Sequence, residues 1–212
     1  MEILAQLAEH LVNGDDEKVG KLTQQAIDDR IPAKEILDTG LLAGMATVGE
    51  RFKAHDMFLP DVLLAAKAMY AGMDRLKPLL ISEDVPSLGK VVLGTVQGDL
   101  HDIGKNLIGV MLHGAGFEVI DLGNNVAPER FVDAAVERDA RVIGMSALLT
   151  TTMPVMRKVV DCVQERQLGE TVKTIVGGAP VSEEFAREIG ADAYGFDAAS
   201  AVDRVKELIG KS

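Results

Sequence analysis

The chain has 212 residues, 47% of them apolar, which is enough for one large or two small packed domains and argues against intrinsic disorder. The net charge of −11 opposes a nucleic acid partner, and no apolar run approaches the roughly 20 residues that span a bilayer, so neither nucleic acid nor membrane is expected as a partner. The single Cys162 excludes an internal disulfide and a cysteine-rich zinc site, and Met1 to His10 lacks the basic start of a secretory signal, so we expect a cytoplasmic protein.

Residues 1–80 show the apolar spacing of amphipathic helices. Asn13-Gly14 is expected to end a first helix, Asp15 or Asp16 to cap a second, and Pro32 and Pro60 to begin a third and a fourth. The apolar stripe of the third helix is predicted to comprise Leu37, Leu41, Met45, Val48 and Phe52. Four helices with short links predict an antiparallel four-helix bundle over residues 1–85, with a linker at 81–88.

From Lys90 onward, short apolar runs alternate with amphipathic runs. The runs predict strands at 91–96, 118–122, 141–145, 172–176 and 192–195. They predict helices at about 103–115, 128–138, 152–167, 182–189 and 198–209. This alternation predicts an α/β domain over residues 89–212, with a flavodoxin-like (Rossmann-like) five-stranded parallel doubly wound sheet that binds its ligand at the carboxyl ends of the strands.

Three loops at that predicted edge carry the candidate site. They contain Asp99, His101 and Gly104, then Ser146 and Leu148, then Gly177 and Gly178. Imidazole is a suitable ligand for a transition metal. A carboxylate two residues before the histidine can accept the proton of the other ring nitrogen, which fixes the tautomer and raises the basicity of the ligand. The glycines allow a ligand to approach the backbone closely.

The pattern D-x-H-x-x-G, S-x-L and G-G resembles the cobalamin-binding domain shared by methionine synthase, corrinoid methyltransferases and some cobalamin mutases. The segments Val48-Gly49-Glu50-Arg51-Phe52 and Met57-Phe58-Leu59-Pro60 resemble the helical cap of methionine synthase and of methyl-carrying corrinoid proteins. The resemblance therefore extends over nearly the whole chain. It is strongest to stand-alone corrinoid proteins of methanol, methylamine or methoxy-compound methyltransferase systems.

The resemblance implies a cobalamin or related corrinoid whose own base has detached, with His101 as the protein ligand to cobalt. It implies that Asp99 and Ser146 form a proton relay to that ligand, and that the nucleotide tail of the cofactor enters the sheet domain beside Gly177 and Gly178. Further cofactor contacts are expected from Gly98, Leu100, Asp102, Ile103, Thr150, Ala179 and Ala198, and from Phe58 and Met69 of the cap.

Simpler interpretations stay open for several of these residues. Asp102 is a candidate helix cap, and Ser146 is a residue type common in turns. Phe58 precedes a predicted helix start, where an apolar residue often forms a hydrophobic staple. Met69 lies on an apolar stripe and fits an ordinary core position.

The function implied by the resemblance is that of a methyl carrier, not a complete enzyme. The cobalt would cycle between cobalt(I) and methylcobalt(III), accepting a methyl group from a donor-specific methyltransferase and passing it to an acceptor methyltransferase. A reductive activator is a further expected partner. The alternatives are the cobalamin-binding subunit of an adenosylcobalamin mutase, a cobalamin-dependent sensor or regulator, and a flavodoxin-like domain with another ligand.

Overall fold

The computed structural model describes residues 2–83 and 85–210, which form two compact units. One unit comprises the residues up to Pro86 together with Gly114–Gly116, and the other comprises Ser87–His113 and the residues from Phe117 onward. Within the described residues, no helix combines the length and the apolar character that crossing a membrane requires.

The first unit is helical. Its elements are α1 (Glu2–Val12), α2 (Asp16–Asp28), α3 (Ala33–Glu35), a π-helical segment (Ile36–Leu42), α4 (Ala43–Lys53) and α5 (Leu59–Ser82). Asp15 caps α2, because its carboxylate accepts the Lys18 N–H at 3.1 Å. The helix α3, the π-helical segment and α4 follow one another without a break, so the unit contains the four helical stretches that the sequence predicts.

The π-helical segment corrects the predicted stripe of the third helical stretch. Ile36 is fully buried there, whereas Leu37 is only half-buried. A π-turn contains one residue more than an α-turn, so the apolar face shifts by one position along the sequence. Gly40 lies in this segment, where a Cβ would come within 2.4 Å of the Leu7 side chain. The absence of a side chain at Gly40 therefore lets the segment pack closely on α1.

The fourth predicted helix is longer than expected. α5 continues to Ser82 and includes Pro78, so the first two residues of the predicted linker 81–88 are helical. A proline inside a helix removes one backbone hydrogen bond, which the neighbouring turns of this long helix tolerate. Asp84 of that linker lies outside the described residues.

The second unit contains a parallel five-stranded sheet, as predicted. Its strands are β1 (Lys90–Thr95), β2 (Glu118–Asp121), β3 (Val142–Ser146), β4 (Lys173–Gly177) and β5 (Ala193–Gly195). Its helices are α6 (Ile103–Gly114), α7 (Pro128–Arg138), α8 (Pro154–Glu165), α9 (Glu183–Ile189) and α10 (Ala198–Leu208). The strand order β2-β1-β3-β4-β5 confirms the flavodoxin-like topology, in which the chain reverses direction across the sheet between β1 and β3.

The strand register aligns the last residues of the strands in one row. Thr95 pairs with Ser146, Ser146 with Gly177, and Gly177 with Gly195. Fully buried strand side chains such as Val92 and Ile143 fix this register, because a slip of one residue would exchange the side chains that pack on the two faces of the sheet. The loops that follow β1, β3 and β4 therefore begin side by side.

Candidate functional site

The histidine loop runs from the end of β1 to the start of α6. Gly98 adopts a φ of +86°, which glycine reaches without strain, and the next N–H, that of Asp99, donates to the Val96 carbonyl at 3.1 Å. This tight turn places the Asp99 side chain inside the protein, fully buried, and leaves the His101 side chain 53% exposed. The loop thus presents an imidazole at the surface with a carboxylate behind it.

His101 and Asp99 form a close pair. The Nδ1 atom of His101 lies 2.7 Å from Oδ1 of Asp99, and the backbone N–H of His101 donates to the same oxygen at 3.0 Å. A carboxylate at Nδ1 favours the tautomer that carries its proton on that nitrogen. Nε2 then keeps a free lone pair, which is the arrangement of a histidine that binds a metal through Nε2 and is oriented by a neighbouring carboxylate.

The second oxygen of Asp99 is held by the loop after β3. Oδ2 accepts the N–H of Leu148 at 2.7 Å, the N–H of Leu149 at 3.2 Å and the hydroxyl of Thr152 at 2.9 Å. The resemblance implies that Ser146 completes the relay, but the hydroxyl that donates to Oδ2 is that of Thr152. Ser146 instead accepts the Val96 N–H through its backbone carbonyl at 3.0 Å, and it lines a cleft on the sheet.

These contacts determine the charge of Asp99. Burial of the carboxyl by itself raises its pKa, but the hydrogen bonds from the His101 N–H and ring, the Leu148 N–H and the Thr152 hydroxyl outweigh burial and hold the pKa of Asp99 well below its ordinary value. Asp99 is therefore an anion at neutral and moderately acidic pH, and its carboxylate is a strong acceptor for the Nδ1 proton of the imidazole beside it.

Removing this charge by Asp99→Asn is expected to lower the free energy of unfolding at pH 7 by about 2 kcal/mol, because buried donors lose an anionic acceptor. Folding lowers the pKa of Asp99, so the stabilisation is complete above the unfolded pKa of about 4 and is lost as the pH falls toward the folded value. Urea unfolding should show a constant difference between wild type and variant from pH 7 to pH 5 that narrows below about pH 4.

The exposed Asp56 gives the control, since Asp56→Asn should leave the unfolding free energy within about 0.5 kcal/mol of wild type. A difference for Asp99→Asn that stayed constant down to pH 3 would contradict the assignment of the charge to Asp99.

The loops that carry and support the imidazole also expose large apolar side chains. Leu100 is 68% exposed and Ile103 is 73% exposed, and both belong to the histidine loop or its junction with α6. Leu148 and Leu149, whose N–H groups bind Asp99, are also exposed large apolar residues. Exposed apolar side chains in the loops that carry and support a histidine with a free nitrogen lone pair are suited to a broad, largely apolar ligand that carries its own metal.

The loop after β4 approaches the loop after β3 through glycine. A Cβ on Gly178 would lie 1.9 Å from the Ala147 carbonyl oxygen, and Gly178 has a φ of +131°. A Cβ on Gly177 would lie 2.9 Å from the Gly195 carbonyl oxygen. Beside these glycines, a narrow apolar cleft lies between the sheet and helices α6 and α10, lined in part by Ser146, Gly177, Gly195 and Ala201. These small residues fit the nucleotide tail of a corrinoid, as a bulkier set would not.

Comparison with known proteins agrees with this geometry. Residues 89–203 match a family model described as a B12 binding domain, and residues 3–77 match a second model with the same description. This chain belongs to the B12-binding family. A corrinoid protein of Desulfitobacterium hafniense is 41% identical over 100% of this chain and 99% of its own length, and the dimethylamine corrinoid protein 1 of Methanosarcina acetivorans is 43% identical over 98% of each.

A solved structure shows the same fold. A chain of the methanol:cobalamin methyltransferase complex MtaBC from Methanosarcina barkeri superposes on this B12-binding protein with a TM-score of 0.90. The identity is 30%, over 100% of this chain and 81% of that chain. The resemblance to corrinoid proteins of methyltransferase systems, made from the sequence, is therefore confirmed.

The remaining predicted contact residues of this B12-binding protein lie at two kinds of position. Asp102 immediately precedes α6, and its carbonyl accepts the Asn106 N–H at 2.8 Å; Gly104 is in the first turn, where a Cβ would meet nothing within 4 Å. Thr150 and Ala179 are exposed in the loops after β3 and β4, and Ala198 is the buried first residue of α10. All five lie in the loops or at helix starts after strands of the sheet.

The two predicted cap residues differ in exposure. Phe58 is 67% exposed at the start of α5, and its N–H donates to the Asp61 carboxylate at 2.8 Å. Met69 is only 2% exposed, on the same face of α5 as the buried Val62 and Leu76. Its burial favours the core interpretation of Met69, because a buried thioether is filling space among its neighbours.

Several residues that support the histidine loop carried no signal in the sequence. Thr152 follows the S-x-L motif by four residues, and a threonine before a helix is too common to single out. Three further residues form hydrogen bonds in this region. The Lys105 ammonium donates to Asp121, the Asn125 side chain accepts the Gly98 N–H, and the Thr95 hydroxyl donates to the His101 carbonyl. Their partners are distant in the sequence or are backbone atoms, so only the fold reveals them.

Proposed function

We propose that this protein is a methyl carrier, which binds a corrinoid with the base of the cofactor detached and with His101 as the ligand to cobalt. The observation that carries the proposal is the pair of Asp99 and His101 at the carboxyl edge of the sheet, with Nδ1 held at 2.7 Å and the side chain half exposed among apolar residues. The narrow apolar cleft lined in part by Ser146, Gly177 and Gly195 supports entry of the nucleotide tail beside Gly177 and Gly178.

The residues of the chain have separate roles in this proposal. His101 supplies Nε2 as the ligand, Asp99 fixes the tautomer and holds the Nδ1 proton, and the Thr152 hydroxyl holds the second carboxylate oxygen. When bound, the corrinoid would supply the methyl-transfer chemistry, with its cobalt cycling between cobalt(I) and methylcobalt(III). A change in how strongly His101 is bound changes the affinity of the Asp99–His101 pair for a proton, so binding and protonation are coupled.

We propose that residues 1–85 are a cap domain and residues 89–212 the corrinoid-binding domain, in agreement with the separate family matches at 3–77 and 89–203. Phe58 is the residue of the helical domain that we propose for contact with the corrin, because its side chain is exposed. The composition of the chain, with one cysteine and a net charge of −11, supports a cytoplasmic location.

The partners in this proposal are a donor-specific methyltransferase, an acceptor methyltransferase and a reductive activator. The names of the relatives, dimethylamine corrinoid protein and methanol:cobalamin methyltransferase complex, support methylated amines and methanol as the first donors to test. The chain itself is then a carrier subunit, and each methyltransferase provides the site for its own substrate.

The test uses the full chain reconstituted with hydroxocobalamin and reduced by titanium(III) citrate. We expect radioactive methyl groups from dimethylamine or methanol to appear on the protein-bound corrinoid only when the matching methyltransferase is added, and to leave it when an acceptor methyltransferase and a thiol follow. Reactions without the methyltransferase are the control. Turnover of bound adenosylcobalamin in a carbon-skeleton rearrangement, with no methyl uptake, would contradict the carrier function.

A further inference from the structure

The last residue of β2 and the loop that follows it, residues 121–126, contact the histidine loop by several hydrogen bonds. Asn125 accepts the Gly98 N–H on its side-chain Oδ1 at 2.8 Å and donates its own N–H to the Asp99 carbonyl at 3.0 Å. One residue thus bonds to the two residues that form the turn in front of His101. We propose that Asn125 is a positioning residue, which holds the histidine loop in the conformation that presents His101 to the cobalt; this inference rests on the proposed function.

The backbone of Asn125 suits this role. Its φ is +53°, a left-handed conformation that asparagine adopts more easily than most residues. This conformation lets the N–H and the side-chain carbonyl of one residue face the same neighbouring turn. Gly98 opposite has a φ of +86°, so the turn that it forms has wide conformational freedom unless something holds it.

The same loop is also linked to Thr95, the last residue of β1, and through Thr95 to the backbone of His101. The Gly123 carbonyl accepts the Thr95 N–H at 3.0 Å, and the Thr95 hydroxyl donates to the His101 carbonyl at 3.1 Å. Thr95 is fully buried, so this hydroxyl has exchanged water for the His101 carbonyl. The backbone of His101 is therefore connected to the loop after β2 through a single residue.

The loop is in turn anchored to α6. Asp121 accepts the Gly123 N–H at 2.8 Å, and it forms an ion pair with Lys105, whose side chain is only 1% exposed. A buried ammonium is costly to leave unpaired, so this pair resists opening. Lys105 lies in the first turn of α6, four residues after His101. The loop 121–126 is consequently fixed both at the histidine turn and at the helix that follows it.

A metal ligand must be held close to its binding geometry before the metal arrives, because ordering a loose loop on binding subtracts from the affinity. The carboxylate bonds of Asp99 orient the imidazole ring, but they do not fix the backbone of Gly98. The side chain of Asn125 does so. Removing its carbonyl should leave the fold intact and reduce the fraction of protein in which His101 is correctly placed.

Three variants of the full chain test this role. Asn125→Gly keeps the left-handed backbone and removes the acceptor, whereas Asn125→Asp keeps both. Asn124→Gly places the same added flexibility at an exposed neighbouring position and is the matched control. For Asn125→Gly we expect the Kd for cobalamin to rise about tenfold, at the lower end of the effect of residues that support metal ligands, and the other two variants to stay within about threefold of wild type.

A second measurement separates positioning from loss of stability. At saturating corrinoid, the electron paramagnetic resonance spectrum of the cobalt(II) state gives the fraction of cobalt whose signal is split by a histidine nitrogen. That fraction should fall in Asn125→Gly and be restored in Asn125→Asp. In the protein without cofactor, amide hydrogen exchange at Gly98 should be faster in Asn125→Gly alone. A merely structural role would lower the unfolding free energy of both glycine variants and leave the coordinated fraction unchanged.

Wild-type affinity and a wild-type coordinated fraction in Asn125→Gly would overturn the inference, and so would an equal loss in Asn124→Gly. If the wild-type protein bound cobalamin without any histidine splitting, the proposed site itself would fail, and the role of Asn125 in positioning a ligand would fail with it. The proposed site survives in the first two cases, so the two failures are distinguishable.

Discussion

His101→Ala is expected to abolish histidine coordination of the bound corrinoid and to weaken corrinoid binding by at least about 100-fold, because residues that merely support a ligand already change metal affinity by 10- to 100-fold. The imidazole is 53% exposed and is oriented by Asp99 at 2.7 Å. Alanine removes the Nε2 atom that would bind cobalt and leaves the volume of the imidazole empty. The nitrogen splitting of cobalt(II) should disappear in electron paramagnetic resonance spectra, and equilibrium titration with cobalamin should give the affinity.

The fold should survive this substitution, because an exposed side chain contributes little to the core. His55→Asn is the matched control: His55 is an exposed histidine of the helical unit with a φ of +61°, which asparagine also adopts. His55→Asn should retain the splitting and the affinity. A wild-type nitrogen splitting that did not change when histidine was labelled with heavy nitrogen would rule out His101 as the ligand and would require a different site for the corrinoid.

Gly178→Ala is expected to destabilise the protein by about 3 kcal/mol or more, because the new Cβ meets backbone and because the residue is held in a conformation that alanine rarely adopts. The Cβ would lie 1.9 Å from the Ala147 carbonyl oxygen, and the φ of Gly178 is +131°. Ala147 and Gly178 directly follow the ends of the adjacent strands β3 and β4, so the clash can be relieved only if the loops after these strands separate. Urea unfolding of the cofactor-free chain measures the loss.

Gly104→Ala serves as the control for glycine replacement. Its Cβ would meet nothing within 4 Å, and Gly104 lies inside α6, where alanine is favoured over glycine by up to about 1 kcal/mol. We therefore expect Gly104→Ala to be as stable as wild type or more stable without cofactor. A Gly178→Ala protein with wild-type stability would show that the two loops can separate at no cost, contrary to the close packing described above.

The sequence was most informative where the physics is local or periodic. Short continuous apolar runs place the strands of the second unit to within a few residues, and apolar residues with a period of 3.6 place its helices, because the central strands are buried on both faces and each helix buries one. The alternation of strand and helix leaves only a parallel sheet as a sensible arrangement, and the observed order confirms it. The candidate pair of Asp99 and His101 is separated by two positions, so local geometry alone brings the two side chains together.

The predicted apolar stripe of the third helical stretch was wrong at its first position, because the backbone there departs from the α-helical period. The π-helical segment at Ile36–Leu42 adds a residue to the turn, and so Ile36 occupies the core position assigned to Leu37. No residue type in that segment demands a π-turn. The close contact between Gly40 and Leu7 exists only when the helices are packed, so the register was decided by packing and not by local preference.

By itself, the sequence determined the fold class, the family and the identity of the buried carboxylate and its histidine, because helix and strand periods and short motifs are encoded within a few residues. Only the tertiary structure decided that Thr152 and not Ser146 binds Asp99, and that Asn125 faces Gly98. Those partners lie 53 and 27 positions apart in the chain. Such contacts arise when parallel strands align their carboxyl ends, and the register of the sheet, set by the buried core, chooses which loop residues meet.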